Sequence, residues 1–153
     1  MSRTDTATRI VPAEAPQAFA ALTSKDALET WLPPTGMTGK IEDFDASVGG
    51  GYRMTLTLDD ESLATGKTNA TQDVVNVKYL EIVENEKIVQ GGSFETEDPS
   101  FADGMTMTWT LEPTRRGTQV TVRADNVPDA IDQEDHITGL NSSLDNLARY
   151  LGE

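Results

Sequence analysis

Between Met105 and Leu111 the chain alternates without a break: Met105, Met107, Trp109 and Leu111 are apolar, and Thr106, Thr108 and Thr110 carry hydroxyls between them. Successive side chains of a β-strand point to opposite faces, so this run predicts a strand with one apolar and one hydroxylic side. Tyr52, Met54, Leu56 and Leu58 alternate with Arg53, Thr55 and Thr57 in the same way, as do Val120, Val122 and Ala124 with Thr121 and Arg123. A sheet made of such strands has one face that must be covered, and that need restricts the fold more than any other feature of the chain.

From Met37 to Val127 there is no helical period. Turn signals at Gly49-Gly50-Gly51, Asp59-Asp60-Glu61, Glu84-Asn85-Glu86, Glu97-Asp98-Pro99 and Arg115-Arg116-Gly117 divide the stretch into six strands, expected to form an antiparallel meander. The cover is found at the end of the chain. Ile137, Leu140, Leu144, Leu147, Ala148 and Leu151 recur at spacings of three and four residues, the stripe of a long amphipathic helix. At the start, Thr4 to Val11 reads as a strand closed by Pro12. Ala15, Pro16, Phe19 and Leu22 then predict a first short helix; Ser24 caps a second, whose apolar stripe is Ala27, Leu28, Trp31 and Leu32 before Pro33-Pro34 ends it. The expected architecture is a single α+β domain over residues 1–153, with the helices gathered on one face of the sheet.

Composition removes several kinds of function. With 26 acidic and 12 basic side chains the net charge is −14, which repels nucleic-acid backbones and anionic membrane surfaces. Cysteine is absent, which excludes disulfides, thiol catalysis and zinc–thiolate sites. No apolar stretch has the length of a signal peptide or membrane span, so a cytoplasmic location without membrane insertion is expected, and the sequons at Asn69 and Asn141 carry no meaning there.

The segments Arg9-Ile10-Val11-Pro12-Ala13, Phe19-Ala20-Ala21-Leu22-Thr23 and Ala27-Leu28-Glu29-Thr30-Trp31 are followed by Gly50-Gly51-Tyr52-Arg53 and by the run from Tyr79 to Val89. Thr108-Trp109-Thr110-Leu111-Glu112-Pro113 and the closing Gly139 to Leu147 complete the series. In this order and spacing they resemble the Hsp-ninety ATPase activator homologue family, within the START-type, birch-pollen-allergen-like (SRPBCC) superfamily. The resemblance implies a helix-grip fold: a curved antiparallel sheet of about seven strands wrapped on the C-terminal helix, two short helices after the first strand, and an apolar cavity between sheet and helix. Relatives of this kind include lipid carriers, hormone receptors, cyclases and aromatases, and a co-chaperone domain. The closing helix often carries Trp after its Gly; Leu140 stands there in this chain.

Trp31, Tyr52, Met54, Phe94, Met107, Trp109 and Leu140 are the candidate ligand-binding residues, being large or flexible apolar groups placed to line such a cavity. The expected function is non-catalytic binding of an apolar small molecule, lipid-like or aromatic. The alternatives are a chaperone-associated module that stimulates a heat-shock ATPase in stress response, and an enzyme of the cyclase or aromatase kind.

No catalytic residue, metal ligand or cofactor is assigned. Thr65-Gly66-Lys67-Thr68 lacks the first glycine of a phosphate-binding loop, since Glu61 stands in its place. Asp43, Asp45 and Ser47 begin like a calcium loop but continue with Val48 and Met54 where glycine and glutamate are needed. His136, the lone histidine, is expected to be a solvated residue of the last helix's first turn. Gly139 costs that helix about 1 kcal/mol relative to alanine and is expected to let it pass close to the sheet or to leave space above the cavity.

Overall fold

The computed structural model describes residues 3–59, 72–95 and 104–152. The turn signals at Asp60-Glu61 and Glu97-Asp98-Pro99 and the motifs at 65–68 and 69–71 lie outside the described residues. The six expected strands are β2 (Met37–Glu42), β3 (Gly51–Leu58), β4 (Gln72–Val83), β5 (Lys87–Phe94), β6 (Met105–Thr114) and β7 (Gly117–Val127), and β1 (Arg3–Val11) adds a seventh. Their order in the sheet is β1-β7-β6-β5-β4-β3-β2, every neighbouring pair antiparallel. The strands from β2 to β7 thus form a meander, and β1 returns to close it beside β7. The sheet curls into a half-barrel. Irregularities in register at Arg3/Asp5 and Tyr79/Glu81 add local bend, as bulges do.

Tight turns connect the strands where the sequence places special residues. Asn85 turns β4 into β5 at φ 62, a left-handed conformation that asparagine tolerates. Gly117 turns β6 into β7 at φ 138, and a Cβ there would run into the Val11 carbonyl, so glycine alone fits.

The concave face carries the predicted apolar sides of the strands. Trp109 and Leu111 share the main core with Val120 and Val122, whereas Met105 packs in a smaller cluster with Ala124, Val127 and Ile131, and half-buried Met107 touches both. Helices α1 (Ala15–Leu22) and α2 (Lys25–Trp31) follow β1 directly, and α3 (Gln133–Tyr150) ends the fold. Ala15, Ala18, Ala21 and Leu22 form the buried face of α1, with Phe19 at its margin. The Ser24 side chain caps α2 as expected, accepting a bond from the Ala27 amide at 3.3 Å.

Leu140, Leu144, Leu147 and Ala148 bury the expected stripe of α3. Burying its three leucines stabilises the fold by up to roughly 5–9 kcal/mol. Two polar flanks then fix the helix. On one, Ser143 Oγ donates to the Leu32 carbonyl at 2.6 Å, Asn146 Nδ2 to the Pro33 carbonyl at 3.0 Å, and Ser142 Oγ accepts from the Thr35 amide at 2.9 Å. On the other lies β1, where Arg9 reaches Asp145 at 3.0 Å. That pair is substantially exposed, so it adds at most about 1 kcal/mol and the leucines dominate.

At Gly139 one of the two expected reasons fails. A Cβ built on it would meet nothing within 4 Å, so close approach does not explain the glycine. Ser143 instead bonds the Leu32 carbonyl at the end of α2, and Leu140 and Leu144 join the main core.

Candidate functional site

Five of the seven candidate residues, Trp31, Tyr52, Met54, Trp109 and Leu140, come together in the main core. Trp31 is wholly buried; its Nε1 donates to the Ala21 carbonyl at 2.9 Å, and its ring meets Trp109 edge-on at 5.6 Å. Tyr52 lies between Phe44, at 5.8 Å, and Tyr79, at 6.0 Å between ring centroids. Met107 and Phe94 are half-buried and lean on the smaller cluster, so the structure sets Phe94 apart from the other six. Two clefts of about 520 and 400 Å3 open elsewhere, one at Pro33, Pro34 and Tyr150, the other beside Gly91 and Gly92; none of the seven lines either.

Two features of the concave face escaped the reading of the sequence. The first is a pair of polar groups, Tyr79 on β4 and Gln90 on β5, which form a buried trio with the candidate Tyr52 on β3. Tyr79 and Gln90 are register partners, and Tyr52 pairs with Val77, two residues from Tyr79. Burial pushes the Tyr52 phenol up to about 12 against a smaller opposing pull from the Gln90 side chain. Burial also raises Tyr79, with the neighbouring Tyr52 phenol adding to it. Both are therefore neutral hydrogen-bond donors at physiological pH. The Tyr79 hydroxyl has no partner, the one such buried side-chain polar atom among the described residues.

The second feature is Asp5, a carboxylate with 1% exposure facing α3. Arg3 donates to it twice, both bonds at 3.0 Å; Gln133 Nε2 donates at 3.1 Å, and His136 Nδ1 lies 2.7 Å from Oδ2. Arg3 also reaches the Ile131 carbonyl at 2.8 Å, tying the approach to α3 onto β1. Burial alone would raise the Asp5 carboxyl, but the bonds from Arg3, His136 and Gln133 together outweigh it and hold the group below the ordinary aspartate range. An ionised carboxylate only accepts, so the proton of this pair sits on Nδ1 of His136. The expectation of a solvated His136 is thus corrected: its side chain is 16% exposed and anchored to a buried partner. The alternation of β1 held the signal, because Asp5 occupies the inward register between Arg3 and Ala7.

The two features share one row of the sheet. Tyr79 pairs with Gln90, Gln90 with Met107, Met107 with Ala124, and Ala124 with Asp5. The row thus runs from a neutral donor, over a flexible methionine and a small alanine, to a buried ion cluster.

An antiparallel seven-stranded sheet curled around a C-terminal helix, its apolar concave face set with a few polar groups, defines a helix-grip protein of the α+β class. The chain belongs to the family described as Activator of Hsp90 ATPase homolog 1-like protein, whose model matches residues 12–152. Among solved structures it is similar to protein CV1439 from Chromobacterium violaceum, at 29% identity and a TM-score of 0.85, with 98% of this chain and 97% of that chain covered. It is also similar to a protein from Arthrobacter aurescens, at 15% identity and a TM-score of 0.81, covering 97% and 85% of the two chains. DynU16, from the dynemicin biosynthetic locus, matches at 19% identity and a TM-score of 0.68 over 97% of this chain and 46% of that one. At these identities the last two share the fold alone. No protein of curated function matches the sequence. Among the described residues no helix is long and apolar enough to cross a membrane.

Proposed function

We propose that this chain binds an apolar small molecule, lipid-like or aromatic, between the concave face and α3, without acting on it chemically. The observation that supports this is incomplete burial of part of one apolar face. Val120, Val122 and Ala124 on β7 and Leu144 and Leu147 on α3 have no exposed surface. Leu56, Val77, Phe94 and Met107, on strands β3 to β6 of the same face, are only half-buried. The backbone of α3 lies chiefly against β1 and α2, so the helix covers one side of the grip most closely. A concave, mainly apolar surface with a few convergent polar groups is the usual form of a small-molecule site.

The test is titration of the folded protein with an apolar fluorescent dye, followed by displacement with fatty acids or aromatic compounds. Saturable one-to-one binding with displacement is expected, and a titration that never saturates overturns the reading. The family's printed description supports an alternative, a chaperone-associated module. No stimulation of an Hsp90 ATPase is expected, and a several-fold stimulation by micromolar protein would select the alternative. A single observation favours catalysis: Asp5 holds Nδ1 of His136 and leaves Nε2 as the basic nitrogen, an arrangement used by general bases. Turnover of a bound compound by the native protein and not by His136→Gln would select that reading.

A further inference from the structure

Tyr79 is 1% exposed, and its hydroxyl has no partner among the described residues. A buried polar group left in this condition is costly, and native proteins rarely keep one without a use for it. Its surroundings define what would satisfy it. The Tyr52 ring stands 6.0 Å away, Gln90 is the register partner, and half-buried Met107 follows on the next strand. The two guanidinium groups on the inward side of β1 are already engaged, Arg3 by Asp5 and Arg9 by Asp145.

We propose that the Tyr79 hydroxyl is the polar anchor of the binding site and that it selects an uncharged ligand with an apolar body and an oxygen that accepts a hydrogen bond, as a ketone does. This inference rests on the binding reading given above. Tyr79 stays protonated because burial disfavours its phenolate, so it offers a donor. A neutral carbonyl oxygen takes that donor without bringing a charge out of water. A carboxylate would lose its hydration with no free guanidinium of β1 to replace it, a far larger cost than a neutral oxygen incurs. From Tyr79 to Ala124 the row crosses three strand intervals, about 14 Å at the usual spacing, which matches the length of a body of two or three rings.

Three naphthalene compounds of nearly one shape test this: methyl naphthyl ketone, isopropylnaphthalene and naphthoate. Their dissociation constants are measured by calorimetry on the native protein and on Tyr79→Phe. The ketone is expected to bind roughly three- to tenfold more weakly to the variant, the range of one neutral hydrogen bond, while the hydrocarbon is unchanged. Naphthoate should be the weakest ligand of the native protein. The infrared carbonyl band of the bound ketone should move to lower frequency in the native protein relative to the variant, a signature that altered packing alone does not give. Tyr79→Phe removes only an unpaired hydroxyl, so it should fold with undiminished stability. Equal ketone affinity for both proteins, an unshifted carbonyl band, or naphthoate binding more tightly than the ketone would overturn the inference and leave the binding reading standing. Absence of binding by all three compounds and by the apolar dye would overturn both.

Discussion

Replacing Asp5 by asparagine keeps the shape of the side chain and removes its charge. The native carboxylate accepts four hydrogen bonds, two from Arg3 and one each from Gln133 and His136. In either orientation asparagine presents its amide hydrogens to two of those donors, so those bonds are lost and donors face donors. Removing one member of a buried ion pair costs about 3–5 kcal/mol, because the remaining charge is left uncompensated. The Arg3 side chain is 21% exposed and keeps the Ile131 carbonyl, so it can turn toward water. The low end of the range applies, about 3 kcal/mol. For a chain of this length that corresponds to a fall in Tm of about 6–12 °C. Circular-dichroism melts and urea midpoints at neutral pH measure it. The pH dependence provides a second check. Asp5 lies below its ordinary value of 3.8 in the fold, so its contribution is complete above that value and is lost as pH falls through the folded one. The gap between native and variant should therefore close in acid, as the native carboxylate takes up its proton. A gap under about 1 kcal/mol at neutral pH, or one that persists unchanged in strong acid, would refute the argument that this cluster fastens α3 to β1.

Two further outcomes follow from particular side chains. Gly139→Ala should raise Tm by about 2–4 °C, since it gains up to about 1 kcal/mol of helix propensity and the new methyl meets no atom within 4 Å; a fall in Tm would show that this face of α3 is occupied. Tyr52 and Tyr79 should not ionise while the protein is folded. Their raised values mean that the stability they contribute is complete below the ordinary tyrosine value of 10.0 and is lost as pH rises toward 12. Tyrosinate absorbance recorded beside circular dichroism should show these two phenols ionising only with unfolding, and ionisation while the fold is intact would contradict their burial.

Most of the fold was legible in the sequence because it rests on period. Alternation in β3, β6 and β7 and the stripe of α3 each report one buried face, and the order of the elements leaves few topologies that cover it. The candidate site was legible only for its apolar members. Five of the seven chosen residues meet in one core because large inward side chains on neighbouring strands must meet there. Asp5, Tyr79 and Gln90 were passed over because a polar residue at an inward register looks like a flaw in the pattern, and nothing local to β1 announces that Gln133 and His136 lie opposite. Ser142 and Ser143 were hidden in the same way, since their partners are carbonyls and amides at 32–35, more than a hundred positions away. For Gly139, helix propensity says that glycine is costly at that point but not what surrounds it. The open space beside it depends on how α3 lies on its neighbours.

The two buried polar features of the concave face call for different explanations. Asp5 is fully engaged, and each of its partners lies on β1 or on α3, so its presence follows from joining the first element of the fold to the last. Tyr79 is buried as deeply, yet its hydroxyl joins nothing. Phenylalanine in its place would bury nearly the same apolar area and avoid a penalty of about 1–3 kcal/mol for the unpaired group. Stability therefore argues against the hydroxyl at Tyr79 and for the carboxylate at Asp5. A group that lowers stability where a simpler residue would serve is better explained by what it binds than by what it supports, which is the ground for proposing Tyr79 as the anchor of the binding site, with the Asp5 cluster as the fastening that ties α3 to β1.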